Sequence, residues 1–226
     1  MSMTDDSPID GSRGKPVGPA SSAGRQPRAG RLVLVVGPSG AGKDSVLGWV
    51  RAQLEGDSAM PPVRFAQRII TRPADAGAER HVPVDRTRFE QLRDEGAFAL
   101  WWSANGHSYG IGNEIQSWIQ AGDTVVVSAS RGHLSQALCA FPRSTVVLIT
   151  ASADVIRERL LERGRESREE MDARLARGQS LALPPDIDAV EIVNDGELAQ
   201  AGRRLLAVLS PALPAVDRPA QAKYSV

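Results

Sequence analysis

Residues 37–45 read Gly37-Pro38-Ser39-Gly40-Ala41-Gly42-Lys43-Asp44-Ser45, and no other part of the sequence is as informative about the fold. It directly follows the apolar run Leu32–Val36 and directly precedes a segment with helical periodicity, Lys43–Leu54. A glycine-rich turn between a strand and a helix lets successive backbone N–H groups surround an anion. The lysine at its end reaches the β- and γ-phosphates of a nucleotide. The whole stretch is therefore predicted to bind a nucleotide, in preference to a glycine-rich turn with a surface lysine.

One position of this loop departs from the usual pattern. The residue after the lysine is commonly Ser or Thr, whose hydroxyl binds Mg²⁺, whereas here it is Asp44, with Ser45 next. A carboxylate suits Mg²⁺, but without the metal its charge repels nucleotide phosphates. We therefore predict a metal site at Asp44 and Ser45, and triphosphate binding that depends unusually strongly on the metal. The alternative is a first-turn acid that interacts with the helix dipole.

Around the loop, short apolar runs alternate with amphipathic segments, as in a parallel sheet covered by crossover helices. This pattern predicts an α/β fold. The predicted strands are Leu32–Val36, Gln67–Thr71, Phe98–Trp102, Thr124–Ser128, Val146–Thr150 and Val190–Val193. The predicted helices are Lys43–Leu54, Arg86–Asp94, Gly112–Gln120, His133–Leu138, Ala153–Glu162, Arg168–Ser180 and Glu197–Leu209.

Composition sets the domain organisation. Residues 1–30 hold five Gly, five Ser and four Pro with few large apolar residues, which predicts a disordered leader. Residues 211–226 lack apolar periodicity and are predicted to form a flexible tail, so the folded unit is residues 31–210. Arginines would also suit a transit-like leader, but Asp5, Asp6 and Asp10 argue against one.

Charge and cysteine content exclude several classes of protein. The 226 residues contain 27 Lys and Arg against 27 Asp and Glu, a zero net charge that is not expected of a nucleic-acid binder. No apolar run approaches the roughly 20 residues that cross a bilayer, so no membrane partner is expected. The single Cys139 cannot form an internal disulfide, and a secretory signal is not evident, which predicts a cytoplasmic protein. We expect Cys139 to be a buried small apolar residue, and the composition leaves the oligomeric state open.

A second cluster of candidate residues spans about residues 65–112. Arg68 and Arg72 flank a strand whose end faces the ligand edge of an open α/β sheet, where they would suit an anionic acceptor. The stretch Trp101–Gly110 mixes aromatic, polar and glycine residues, which predicts a substrate loop with Tyr109 in contact with the ligand. One or both of the tryptophans in it are better explained as core than as a stack against the ligand.

Arginine is dense over residues 157–177. Arg159 and Arg163 are four residues apart and share a helix face, and Gly164 would end that helix and let Arg174 approach from the next one. Such residues neutralise the charge of a phosphoryl group in transfer, so we predict a lid with catalytic Arg159, Arg163 and Arg174. Interleaved glutamates leave salt-bridged helices as the alternative.

With these motifs together, the chain resembles the guanylate-kinase-like group of P-loop kinases over residues 31–205. The stretches that match are Gly37–Ser45, Thr71-Arg72, His107-Ser108-Tyr109-Gly110, Arg159-Leu160-Leu161-Glu162-Arg163-Gly164, Arg174 and Asn194-Asp195. The resemblance implies a P-loop NTPase-like three-layer sandwich with a mainly parallel sheet, of the nucleoside-monophosphate-kinase type with a lid. It also implies that Asn194 and Asp195 contribute to nucleotide binding.

The departures from guanylate kinases fall on groups that hold guanylate. Leu100 and Asp75 stand where an acid and an arginine are expected, and Ser128 and Ser130 replace acids at a strand end. In its details the chain is more similar to the ribose 1,5-bisphosphate phosphokinases. The shared stretches are Gly42-Lys43-Asp44-Ser45, Ile70-Thr71-Arg72-Pro73-Ala74, Ala104-Asn105-Gly106 and Ser130-Arg131-Gly132-His133-Leu134.

The resemblance implies transfer of the γ-phosphoryl group of ATP to the 1-phosphate of a phosphosugar, ribose 1,5-bisphosphate. Lys43 and Mg²⁺ would hold the ATP phosphates, and Arg68, Arg72 and Tyr109 the acceptor phosphate. The resemblance implies that this reaction supplies 5-phosphoribosyl 1-diphosphate and takes part in phosphonate breakdown.

Two alternative functions stay open. One is a nucleoside monophosphate kinase, most plausibly guanylate kinase. The other is a non-catalytic binding module, but such modules tend to lose the loop lysine and lid arginines, which are present here.

Overall fold

The computed structural model describes residues 30–55, 62–73, 81–163 and 183–210, with Arg163 described by its backbone alone. Outside these residues lie residues 1–29 of the predicted leader, the predicted tail, Asp75, the predicted helix Arg168–Ser180 and, with it, Arg174. The elements follow one another as β1 (Arg31–Val36), α1 (Lys43–Leu54), β2 (Val63–Phe65), β3 (Arg68–Ile70), β4 (Val82–Pro83), α2 (Arg86–Asp94), β5 (Phe98–Ala104), β6 (His107–Gly112), α3 (Glu114–Gln120), β7 (Thr124–Ser128), a 3₁₀ turn (Arg131–His133), α4 (Leu134–Ala140), β8 (Thr145–Thr150), α5 (Ala153–Arg163), β9 (Val190–Val193) and α6 (Leu198–Leu209).

Five strands form a parallel central sheet in the order β2-β7-β1-β8-β9. Alternate residues of β1 face opposite sides of this sheet. Leu32, Leu34 and Val36 pack with α3, α4 and a second sheet, whereas Val33 and Val35 pack with α1 and α6. The central sheet is thus the middle of three layers, which confirms the predicted sandwich. The carboxyl end of β1 leads directly into the glycine-rich loop.

A second sheet of four strands in the order β4-β3-β6-β5 lies against one face of the core. Strands β5 and β6 are antiparallel and joined by the two-residue turn Asn105-Gly106, whose φ angles are 51° and 76°. Positive φ at both positions matches the twist of the flanking strands. The prediction of a loop over Trp101–Gly110 was therefore wrong, since this stretch is a hairpin.

The six predicted strands and six of the predicted helices occur within about two residues of their expected bounds. Cys139 is exposed, so its predicted burial was wrong. No helix in the described part of the chain is long and apolar enough to cross a membrane.

Candidate active site

The glycine-rich loop owes its shape to close packing beneath it. Gly42, with φ 83°, ends the loop, and a Cβ there would lie 2.5 Å from Asn194 Nδ2. A Cβ on Gly40, with φ 87°, would stand 2.8 Å from Ile156 Cγ2. Only glycine fits both the backbone angle and the space, because L side chains rarely adopt positive φ. The sequence therefore has glycine where the loop turns towards helix α1.

Lys43, the first residue of α1, folds its side chain back across this loop. Its Nζ donates to the carbonyl of Gly37 at 2.9 Å and to that of Pro38 at 3.2 Å. The ammonium charge is thereby held at the mouth of the loop, next to the N-terminus of a twelve-residue helix. Both groups favour an anion at this position.

Asn194 supports the loop from below. It is only 2% exposed, its Nδ2 donates to the carbonyl of Ala41 at 2.8 Å, and its backbone N–H donates to Thr150 at 2.8 Å. The carboxylate of Asp195 accepts from the backbone N–H of Ser152 at 2.6 Å, just before α5. These contacts hold the end of β9 to the loop and to α5, which gives the Asn194-Asp195 pair a supporting position at the predicted nucleotide site.

Arg159 reaches the same place from α5. Its Nη2 donates to the carbonyl of Asn194 at 2.8 Å, and its Nη1 lies 3.5 Å from the position of a Cβ on Gly42. Nη1 is buried and has no hydrogen-bond partner in the described structure. A guanidinium N–H beside a phosphate loop is well placed to bind an anionic oxygen. Of the other predicted lid residues, Arg163 ends α5, and Arg174 lies outside the described residues.

A row of side chains connects the loop to the second sheet. The Asp44 carboxylate lies 3.6 Å from Arg68 Nη2, and the Arg68 guanidinium lies 5.7 Å from the centre of the Tyr109 ring. Tyr109 in turn stacks on Trp102 with ring centres 5.4 Å apart. The structure thus brings together the predicted metal ligand Asp44 and the predicted acceptor ligands Arg68 and Tyr109.

Arg72 follows the end of β3, in a backbone held from two sides. His107 Nδ1 lies 3.0 Å from the Thr71 carbonyl, and His81 Nε2 lies 2.9 Å from the Arg72 carbonyl. Because a carbonyl oxygen only accepts, both ring nitrogens carry the proton. The backbone N–H of Ser108 also donates to Thr71 Oγ1 at 2.8 Å. Two of the three histidines of the chain therefore fix the turn that carries Arg72.

The carboxyl end of β7 adds polar groups that the sequence analysis did not assign. Ser128 Oγ and His133 Nδ1 are buried and have no hydrogen-bond partner in the described residues. Burial lowers the pKa of His133, which favours its neutral form, and also lowers the pKa of Arg131. The Ser130–Leu134 motif supplies most of these residues.

The residues at the start of α1 fit a magnesium ion bound together with a nucleotide. Asp44 and Ser45 are exposed in the first turn, where their oxygens are of the kind that Mg²⁺ takes. The described residues contain no cluster of three or more acidic, histidine or cysteine side chains that could hold a metal. One or two protein oxygens with nucleotide phosphates are the usual set for Mg²⁺.

Comparison with known proteins identifies the family. A ribose 1,5-bisphosphate phosphokinase PhnN from Burkholderia mallei is 48% identical over 181 residues, which cover 80% of this chain and 96% of that protein. The chain belongs to the ribose 1,5-bisphosphate phosphokinase family. A family member from Desulfomicrobium baculatum is 45% identical over 79% of this chain and 94% of its own length. Another, from Laribacter hongkongensis, is 47% identical over 84% of this chain, which spans only 45% of that protein.

The family assignment agrees with the fold. The guanylate kinase from Anaplasma phagocytophilum superposes with a TM-score of 0.61 over 81% of this chain and 86% of that one, at 17% identity. At that identity the likeness concerns the fold alone, which is that of a P-loop kinase. No protein-family model matches the chain.

Proposed function

We propose that this protein transfers the γ-phosphoryl group of ATP to the 1-phosphate of ribose 1,5-bisphosphate, giving 5-phosphoribosyl 1-diphosphate and ADP in the cytoplasm. The observation that carries the proposal is the 48% identity to a ribose 1,5-bisphosphate phosphokinase over 96% of that relative. The loop around Lys43 supports the donor side, and the Arg68–Tyr109 cluster supports the acceptor side.

On the donor side, the backbone N–H groups of residues 37–45 and Lys43 bind the ATP phosphates. Asp44 and Ser45 would hold Mg²⁺, which when bound neutralises charge on the β- and γ-phosphates. Arg159 lies beside Gly42, so its Nη1 is positioned to stabilise charge on the transferred group. By resemblance to the family, Arg163 and Arg174 are proposed to add positive charge to this set.

On the acceptor side, Arg68, Arg72 and Tyr109 hold the phosphate that reacts. An oxygen of the 1-phosphate attacks the γ-phosphorus, the bond from that phosphorus to the β,γ-bridging oxygen breaks, and ADP leaves. A phosphate oxygen is already anionic, so the reaction needs no general base. The protein's contribution is to position the two anions and to offset their mutual repulsion.

The acceptor region does not favour guanylate. Leu100 is only 7% exposed and apolar, and Ser128 at the end of β7 and Ser130 two residues later stand where guanylate kinases carry acids. None of these side chains has the two oxygens with which a carboxylate accepts a pair of hydrogen bonds from a guanine edge. Guanylate kinase is therefore a relative in fold, and guanylate is a weaker candidate than ribose 1,5-bisphosphate for the acceptor of this protein.

An acceptor panel tests the proposal. The purified chain is given ATP and Mg²⁺ with ribose 1,5-bisphosphate, with GMP or with no acceptor, and ADP release is followed. We expect turnover with the sugar bisphosphate at least about a hundredfold above both other reactions, because a mismatched acceptor leaves buried polar groups unpaired. Equal or faster turnover of GMP would contradict the proposal.

A further inference from the structure

A shallow cleft lies between β5 and the segment that follows β7. Its lining includes Leu100, Trp102, Ser130, His133 and Gln136. The segment is tied to β1 by the Ala129 N–H, which donates to the Val35 carbonyl at 2.9 Å, just before the phosphate loop begins. On the other side Trp102 stacks on Tyr109. The cleft therefore adjoins both the phosphate loop and the proposed acceptor ligands.

The accessible wall of this cleft is mostly apolar. Its few polar residues are Ser130 with a hydroxyl, Gln136 with an amide and His133 with an imidazole, and among the described residues no other acidic or basic side chain lines it. Burial lowers the pKa of His133 and so favours the neutral ring, which can both donate and accept. Neutral groups of this kind pair with hydroxyls, whereas phosphates call for the cations that Arg68 and Arg72 provide.

His133 differs from the other two histidines of the chain. His81 and His107 each commit a ring nitrogen to a backbone carbonyl. His133 Nδ1 is buried and has no partner among the described residues, although most buried polar atoms in proteins are paired. The ring is held at the edge of the cleft, in the turn that leads into α4, without a hydrogen bond that explains it.

We infer that this cleft is the sugar subsite of the acceptor, with His133 and Ser130 bonded to the 2- and 3-hydroxyls of the ribose and the Trp102 indole forming its apolar wall. The inference rests on the proposed function and assigns selectivity for the sugar to the Ser130–Leu134 motif. A site built to bond a hydroxyl rejects an analogue that lacks it.

Deoxy analogues of the acceptor test this assignment. For the wild-type protein, we expect 2-deoxy- or 3-deoxyribose 1,5-bisphosphate to have a kcat/KM about tenfold below that of the ribose compound, the size of one or two hydrogen bonds. In His133→Ala, the kcat/KM of the ribose compound should fall to that of the deoxy analogue that lacks the hydroxyl bonded by His133. The ratio of these two kcat/KM values should then be within about twofold of one. His133→Asn or His133→Gln should restore part of the ratio, and KM for ATP should stay unchanged in all variants.

Ser135→Ala is the matched control for Ser130→Ala, because Ser135 lies on α4 and does not line the cleft. Ser135→Ala should keep the wild-type ratio of kcat/KM for the ribose compound to kcat/KM for the deoxy analogues, whereas Ser130→Ala should lower this ratio. Unchanged ratios for both deoxy analogues in His133→Ala would overturn the sugar subsite while leaving the proposed function intact. Failure of the wild-type protein to turn over ribose 1,5-bisphosphate would instead overturn the function itself.

Discussion

Asp44 is the residue at which this phosphate loop departs from the common pattern, and the structure places its carboxylate against Arg68. The pair is partly exposed, with 46% of the Asp44 side chain accessible, so it adds little to stability. Its importance is its position between the metal-binding and acceptor-binding groups of the proposed reaction. We expect the same carboxylate to repel the nucleotide phosphates when the metal is absent.

Replacing Asp44 tests the predicted dependence on metal. In Asp44→Ser, we expect the ratio of ATP affinity with Mg²⁺ to that without Mg²⁺ to fall about tenfold, because the serine hydroxyl can still bind Mg²⁺ whereas the charge that repels the metal-free phosphates is lost. Calorimetric titration of ATP measures both affinities. Asp154→Ser is the control, since Asp154 is an exposed first-turn acid of α5. A ratio that does not change in Asp44→Ser would contradict the role of Asp44.

We expect the proposed donor site to depend most on Lys43. In Lys43→Met, we expect kcat/KM to fall about a thousandfold, as for the loss of a charge that stabilises the transition state. The thermal midpoint should shift little, because the side chain is only partly buried and bonds to loop carbonyls. Rates of ADP release and a melting curve give both results. Activity within tenfold of wild type would show that the loop does not hold the donor.

At the scale of elements, the loop requires glycine at Gly42, whereas α1 does not require it at Gly48. Gly42→Ala places a methyl group 2.5 Å from Asn194 Nδ2 at φ 83°, so we expect loss of nucleotide binding and about 2 kcal/mol of stability. Gly48→Ala, in the middle of α1, meets nothing within 4 Å and should stabilise the helix by about 0.5–1 kcal/mol. Chemical denaturation and ATP titration compare the two. Equal effects would refute this packing account.

The elements also show which parts of the fold can be predicted from the sequence. Strands β7 and β9 match their predicted bounds because each is a compact apolar or β-branched run. Strands β2 and β4 have three and two residues, too few to show periodicity. Strand β6 was misread as a loop because Gly110 interrupts it, yet a Cβ there would lie 2.5 Å from the Phe98 ring. That glycine serves packing, whereas the Asn105-Gly106 pair is the signal that a hairpin was present.

Some candidate site residues can likewise be predicted from a local sequence pattern, and others cannot. The loop residues and Lys43 are recognised because their motif is continuous in the sequence. The Asp44–Arg68 pair, the support of Ala41 by Asn194 and the fixing of Thr71 by His107 join residues that are distant in the chain. No local pattern reports such contacts, since they depend on the relative placement of whole elements.

At the scale of the molecule, Arg31 joins the first strand to the last helix. Its buried guanidinium donates to the carbonyls of Val208 at 2.8 Å and Ser210 at 3.0 Å. In Arg31→Met, we expect the free energy of unfolding to fall by about 3 kcal/mol, because buried carbonyls lose a charged donor. Arg203→Met, an exposed arginine on α6, is the control and should change it by less than about 0.5 kcal/mol. Urea denaturation measures both, and similar values would contradict the role of Arg31.

The molecule as a whole is proposed to transfer a phosphoryl group to the 1-phosphate of a sugar bisphosphate. Phosphorus NMR of a reaction with ATP, Mg²⁺, ribose 1,5-bisphosphate and GMP together distinguishes this reaction from phosphorylation of GMP. We expect a new diphosphate on C1 of the sugar, an unchanged 5-phosphate and stoichiometric ADP. Formation of GDP while the sugar bisphosphate stays unchanged would contradict it.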